Sequence, residues 1–257
     1  MDSFVYMLVS QGRVIAYKNY QLQEFNSKYP HLYLKDLQQT ILQDEDLMPS
    51  FQKIFIGVAY PLAVVVPDGF YDEQKRRTFL NHLTDKADDL AIFTAPMPAI
   101  GAKVIYSLHH EVVNVLDHLL PTAHMTHIWA ALINYLSEVH CPYEEGHHLF
   151  INFHSTSLDI FVFDRKWLLF SNTYSFGQAE DVLYYVMLVI QQLNLEIETI
   201  PVYLAGQTIE DSPEYRLLRR FLPRIEFFEE KVPYAFGSKM QKLPPQYWAD
   251  ITSISKG

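Results

Sequence analysis

The sequence of 257 residues holds a single cysteine, Cys141, and has no apolar run long enough to cross a bilayer. One cysteine excludes a disulfide framework and a four-cysteine zinc site. The longest conspicuous apolar run, residues 182–190, is far shorter than the ~20 residues that a membrane-spanning helix needs. The N-terminus carries Asp2 where a secretory signal has lysine or arginine. We therefore expect a cytoplasmic, globular protein with no transmembrane segment.

Glycine and positive charge are also scarce. The chain has nine glycines, whereas average usage would give about eighteen. The closest pair, Gly57 and Gly69, is twelve residues apart, so neither a Gly-x-Gly-x-x-Gly nor a Gly-x4-Gly-Lys loop can be written. These loops need glycine because phosphate must approach backbone N–H groups without a Cβ in the way, so a Rossmann site and a P-loop are excluded. The 20 basic residues against 30 acidic ones give a net charge of −10, which argues against a nucleic-acid partner.

The second half of the chain alternates between strand and helix patterns. Three antiparallel strands joined by tight turns are predicted first, at residues 148–154, 158–163 and 167–174. Alternating helices and strands follow, at residues 178–193, 201–205, 214–221 and 224–228. The predicted order is therefore βββαβαβ.

The first half repeats this order with an insertion. Residues 4–23, written beneath residues 158–177, match them in strand, turn and strand without a gap. A helix and a strand then correspond to those of the second half. Residues 61–108 form an added αβ segment with a predicted helix at 72–83. We predict a duplicated unit. Its first half, junction included, covers residues 1–146, its second half residues 147–236, and a C-terminal tail residues 237–257.

A duplicated unit of this kind resembles the actin-like ATPases. The resemblance implies an α/β fold of two ribonuclease H-like halves with mixed five-stranded sheets. Residues 149–177 resemble the second phosphate hairpin of that fold, and residues 202–207 resemble its adenosine-binding strand and turn.

The whole chain, over most of residues 2–236, is similar to an uncharacterised bacterial family of unknown function with this fold. The similarity lies in residues 4–22, 181–185, 192–193 and 199–206. It is more distantly similar to pilus-assembly and cell-division actin homologues. Family members carry one more strand before Phe4, which implies that this chain begins late and that its first hairpin lacks its outer strand.

The resemblance also implies which residues would line a nucleotide cleft between the two halves. The second phosphate hairpin of the fold carries Asp-x-Gly, but here Asn152 stands at the aspartate position and His154 at the glycine position. The adenosine turn keeps one glycine of two, Gly206. The cleft positions are Asn152, His154, Ser155, Thr156, Gly177, Gly206 and Gln207.

Degraded motifs of this kind predict a pseudo-ATPase with no catalytic residues, no bound metal and no cofactor. We expect it to act by protein–protein interaction, with an unknown partner or with itself. The alternative is a nucleotide-binding ATPase or phosphotransferase that uses ATP and Mg²⁺ in the cleft. A two-metal nuclease would need a carboxylate cluster, for which the chain offers Asp159 and Asp164 with Glu180 and Asp181. That chemistry places an acid in the middle of a strand, where Asn152 stands, so we expect these acids at strand edges, turns and a helix N-terminus.

Two further patterns bear on function. Nine of the eleven histidines lie between His109 and His154, but His124 and His127 would point to opposite faces of one strand, which argues against a zinc site. The inserted segment carries Phe70 and Phe93, so we expect a partner surface there. The alternative is that these aromatic rings cover the first sheet.

Overall fold

A computed structural model describes residues 3–26, 28–84, 90–140, 146–229, 234–236 and 244–255. The chain divides into two units. Unit 1 comprises residues 1–131, 233–240 and 253–257, and unit 2 comprises residues 132–232 and 241–252. The division expected from the sequence, at 1–146 and 147–236, stays a prediction. Residues 141–145 of the predicted junction, Cys141 among them, lie outside the described residues.

The elements of the first half follow one another in the predicted order. They are β1 (Ser3–Ser10), β2 (Arg13–Gln21), α1 (Pro30–Gln43), β3 (Ile54–Val58), β4 (Ala63–Pro67), α2 (Arg76–Asn81), β5 (Leu90–Met97), β6 (Ala102–His109), α3 (His110–Leu119), β7 (Ala123–His127) and α4 (Ile128–Tyr135). Helix α4 continues as a π-helix over Leu136–His140.

The second half begins with a three-stranded meander and ends in a short helical segment. Its elements are β8 (His147–Phe153), β9 (Ser157–Asp164), β10 (Trp167–Ser175), α5 (Ala179–Gln192), β11 (Val202–Gly206), α6 (Pro213–Phe221), β12 (Ile225–Phe227), β13 (Ala235–Phe236), a 3-10 helix (Pro245–Trp248) and α7 (Ala249–Ile254). In the described part of the chain, no helix is long and apolar enough to span a membrane.

Unit 2 contains a mixed five-stranded sheet of order β10-β9-β8-β11-β12. Strands β8, β9 and β10 are antiparallel, and β8, β11 and β12 are parallel. Almost every residue of β8 and β9 is buried, because these central strands are covered on both faces. Apolar side chains of α5 and α6, among them Val186 and Leu218, pack on one face of the sheet to form its main core.

The hairpin of unit 1 has the same register as that of unit 2, offset by 154 residues. Strands β1 and β2 pair through a two-residue turn, and Ile15 forms a bulge without a partner on β1. Strands β9 and β10 also pair through a two-residue turn, and Leu169 forms the bulge. The gapless match expected from the sequence therefore extends to the position of the bulge.

The described residues of unit 1 form three small sheets and not one large one. Their strand orders are β1-β2-β13, β3-β7 and β4-β6-β5. In unit 2, β8 lies between β9 and β11 and joins the hairpin to the parallel strands. The described part of unit 1 holds no strand that pairs with both β1 and β3, so its hairpin and its parallel pair stay separate.

A buried carboxylate ties the first hairpin to the end of α1. Asp44 accepts hydrogen bonds from the hydroxyls of Tyr6 and Tyr20, at 2.7 and 2.6 Å, and from Lys18 Nζ at 2.7 Å. Burial alone would raise the pKa of Asp44, but the hydrogen bonds from Lys18, Tyr20 and Tyr6 lower it well below its ordinary value. The sequence pattern did not bring these four residues together.

Candidate functional site

The turn between β8 and β9 is organised around the carboxylate of Asp159. Asn152 lies opposite Asp159 in the antiparallel pair. His154 Nε2 is 2.7 Å from Asp159 Oδ2, and the hydroxyl of Thr173 donates to Asp159 Oδ1 at 2.5 Å. Asn152 Nδ2 lies 3.5 Å from the same Oδ2 atom. Three neighbouring side chains therefore face a carboxylate that is only 2% exposed.

This geometry corrects one expectation from the sequence. Asp159 was expected at a strand edge or turn, but it lies inside β9 and is buried. A buried carboxylate needs hydrogen-bond donors, and His154 and Thr173 supply them. Among the described residues, no three histidine, cysteine or acidic side chains are placed to hold a metal ion.

Gly206 is required by the close approach of β11 to β8. Its φ is +77°, and a Cβ there would lie 2.2 Å from the carbonyl oxygen of Phe153 and 2.7 Å from Asn152 Oδ1. Because backbone atoms of β8 cannot give way cheaply, the strand ends can meet only if residue 206 has no side chain. The glycine predicted to admit adenosine thus has a packing role in unit 2.

The backbone amides that would bind a phosphate already have acceptors in the chain. Gly177 N and Gln178 N both donate to Asp181 Oδ2, at 2.9 and 3.1 Å. Gln207 N donates to the carbonyl of Phe153 at 2.8 Å, and His154 N to that of Ser157 at 2.8 Å. Phosphate sites at turns and helix N-termini depend on backbone amides that point at the ligand. These four amides instead donate to acceptors within the chain.

Most of the predicted cleft positions do come together. Asn152, His154, Gly206 and Gln207 meet where β8 and β11 end. Phe176 N donates to the carbonyl of Thr156 at 3.1 Å, which brings the end of β10, next to Gly177, beside the turn with Ser155 and Thr156.

A C-terminal segment lies beside this turn, and the Pro-Pro-x-Tyr sequence at 244–247 with the adjacent Trp248 had led us to expect a tail that docks Tyr247 and Trp248 on its own domain. Gln246 is buried, and its Nε2 donates to the carbonyl of Thr208 at 3.0 Å. Asp250 Oδ2 lies 3.9 Å from Nδ1 of His154, on the ring side away from Asp159. Trp248 is buried as well. The burial of Trp248 agrees with the expected docking, whereas the contacts of Gln246 and Asp250 join distant parts of the chain and have no local signal in the sequence.

The histidines of β7 take different roles, as their spacing predicted. His124 is exposed and His127 is buried. His127 Nε2 faces the carbonyl of Tyr60 at 3.0 Å, and its Nδ1 accepts from Trp129 N at 3.2 Å. A backbone acceptor on one nitrogen and a backbone donor on the other fix the neutral Nε2–H tautomer, so His127 has no free nitrogen for a metal.

The chain is similar to a family of proteins in sequence and to solved proteins in fold. The family model described as "Protein of unknown function (DUF3822)" matches residues 1–225. No curated protein matches the chain. A solved Bacteroides thetaiotaomicron protein with an actin-like ATPase fold and unknown function is 18% identical, with 93% of this chain and 90% of that chain covered and a TM-score of 0.76.

A chain of the PilM–PilN type IV pilus biogenesis complex is also similar. It is 13% identical, with 99% of this chain and 94% of that chain covered and a TM-score of 0.59. At these identities the likeness establishes the fold alone. The actin-like architecture predicted from the duplicated unit is thereby confirmed, as is the family resemblance.

Proposed function

Because the chain belongs to this family of proteins of unknown function and has the actin-like ATPase fold, we propose that it is a pseudo-ATPase that binds another protein. The observation that carries this proposal is the set of amides at the second hairpin that already donate within the chain. A phosphate at this turn would have to break the bonds of Gly177, Gln178 and Gln207 before it gained any of its own.

The side chains at the turn support the same proposal. Asn152 carries no charge with which to hold Mg²⁺ or its waters. The Asp159 carboxylate is buried and faces His154 and Thr173. A magnesium ion would have to compete with these hydrogen bonds and draw a buried group into the solvent-facing part of the turn. Catalysis of phosphoryl transfer therefore has no support at this hairpin.

The proposal of a protein partner has its own support. The PilM–PilN structure shows a protein of this fold in an assembly with another protein. In the present chain the inserted segment at 61–108 exposes 77% of Phe70, whereas Phe93 is half-buried and stacks on Tyr106 with ring centroids 5.5 Å apart. Of the two aromatic residues predicted to form a surface, Phe70 alone is available. We place this function in the cytoplasm, as the sequence led us to expect.

Titration with a fluorescent ATP analogue and Mg²⁺, followed by thermal unfolding, tests the proposal. A ligand that binds the folded chain must raise its melting temperature. We expect no saturable binding, no shift, and no phosphate release above buffer. The double variant Asn152→Asp, His154→Gly serves as the comparison, because it restores the residues of the fold's phosphate hairpin. Magnesium-dependent phosphate release by the natural chain that disappears in Asn152→Ala would overturn the proposal.

A further inference from the structure

Strand β10 forms an outer edge of the unit 2 sheet. It pairs with β9 on one side, and no described strand pairs with its other side. Two large apolar side chains lie exposed at its start, Trp167 at 53% and Leu169 at 47%. An edge strand presents a row of backbone donors and acceptors that another extended segment can use. The outer edge of β10 is therefore open to pairing in the described structure.

Strand β10 carries one feature that protects such an edge, the bulge at Leu169, but it lacks charged residues and proline. Its nine residues include no charged residue and no proline. Proteins block exposed edges with lysine, proline, bulges or very short strands, because an unprotected edge pairs with other chains. The corresponding strand of unit 1, β2, carries Arg13 and Lys18 within it. Of the two corresponding edges, the one without charged residues is the one that has no partner strand among the described residues.

In unit 1, the corresponding outer edge, that of β2, pairs with a short strand. Strand β13 pairs in parallel with β2, with Ala235 beside Arg13 and Phe236 beside Val14. Ala235 N donates to the carbonyl of Gly12, in the hairpin turn, at 2.9 Å. This pairing occupies the two residues that precede the bulge at Ile15, so the bulge does not prevent it.

The same positions exist in unit 2. The offset of 154 residues that relates the hairpins places Trp167 and Leu168 at the positions of Arg13 and Val14, and the bulge at Leu169 at that of Ile15. The two hairpins thus have the same pairing, turn length and bulge. One carries a third strand on its outer edge, and the other does not within the described residues.

We propose that the outer edge of β10 binds an extended segment of a partner protein as a parallel strand beside Trp167 and Leu168. The segment would have a small residue followed by an aromatic one, as in Ala235-Phe236. Main-chain hydrogen bonds give such a complex its affinity, and the exposed rings and alkyl groups beside the edge give it selectivity. The inference deepens the protein-binding part of the proposed function and is independent of whether a nucleotide binds.

A second copy of this chain is the competing occupant. Two copies related by a two-fold axis across the edge would pair their β10 strands antiparallel. The pairing seen on β2 is parallel and uses a short segment with no hairpin of its own. The observed precedent therefore favours a separate extended segment.

The test is an NMR titration of the full, isotope-labelled chain with the synthetic peptide Pro-Tyr-Ala-Phe-Gly-Ser, the sequence of residues 233–238. A peptide of scrambled sequence is its control. We expect saturable shifts of the amide signals of residues 166–170, with an affinity in the millimolar range or tighter. Leu169→Lys should weaken binding about tenfold, which corresponds to the loss of one buried leucine side chain.

Ile15→Lys is the matched control, because Ile15 holds the same bulge position on β2 and is 63% exposed. It should leave the affinity unchanged. Trp167→Ser offers a second way to weaken the site if Leu169→Lys does not fold. No shift at residues 166–170, or equal binding by the Leu169 and Ile15 variants, would overturn the proposal. Sedimentation that shows a dimer lost in Leu169→Lys would assign the edge to a second copy and would also overturn it. None of these results depends on ATP.

Discussion

Replacement of Gly206 by alanine tests the close approach of β11 to β8. The residue has φ +77°, and the added Cβ would lie 2.2 Å from Phe153 O and 2.8 Å from Phe153 N. The left-handed conformation costs an L-residue about 1–2 kcal/mol. An extra atom forced into a close-packed site costs about 1–3 kcal/mol more. We therefore expect Gly206→Ala to lower the free energy of unfolding by about 2–5 kcal/mol.

Gly146→Ala separates the cost of the backbone conformation from the cost of the steric overlap. Gly146 belongs to the same unit and has φ +76°, but the described residues place no atom within 4 Å of a Cβ built there. Its replacement should therefore lower the free energy of unfolding only by the cost of the left-handed backbone conformation, about 1–2 kcal/mol. Urea denaturation followed by circular dichroism measures both variants against the natural chain. If Gly206→Ala is no more destabilising than Gly146→Ala, the packing role assigned to Gly206 is wrong.

Three further predictions follow from side chains described above. Thr173→Val removes a donor to the buried Asp159 carboxylate and should destabilise the chain by about 1–3 kcal/mol in urea denaturation. The pKa of Asp44 is lowered by folding, so its stabilising contribution is complete above its ordinary pKa of 3.8 and is lost as the pH falls below it. Acid titration of the unfolding free energy should therefore show a smaller drop in Asp44→Asn. Phe70→Ser should change the melting curve little, within about 0.5 kcal/mol, whereas Phe93→Ser should cost about 1–3 kcal/mol. Equal effects of the two serine variants would contradict the burial described for Phe93.

The local elements of this fold could be predicted because their signals are local. The two hairpins follow from strict alternation and short turns, and the expected strand at 158–163 differs from β9 by one residue at each end. The inserted helix was expected over 72–83, but α2 covers Arg76–Asn81 and follows a 3-10 turn at Glu73–Lys75. The Asp72 side chain accepts from Gln74 N and caps that tighter turn, an effect that the apolar periodicity does not report.

The sequence indicated two residues of the candidate site but not the side chains that contact them. Asn152 and His154 were identified from the hairpin they occupy. Their partners Asp159 and Thr173 are set by strand register, and Asp250 comes from a segment almost one hundred residues further along the chain. Contacts of this range depend on the whole topology, so no window of the sequence contains them.

The composition of unit 1 has a consequence for the order in which the chain can fold during synthesis. Most of unit 1 ends at residue 131, but it also includes residues 233–240 and 253–257. Ile254 packs so closely against Gly57 that a Cβ there would lie 2.2 Å from its Cδ1 atom, and β13 completes the edge of β2. At about 5–20 residues per second, a ribosome needs on the order of 6–25 s to pass from residue 131 to residue 253. Over that interval the nascent unit 1 lacks β13 and the side chain that covers β3, so the outer edge of β2 and one side of β3 stay uncovered until these residues have been synthesised.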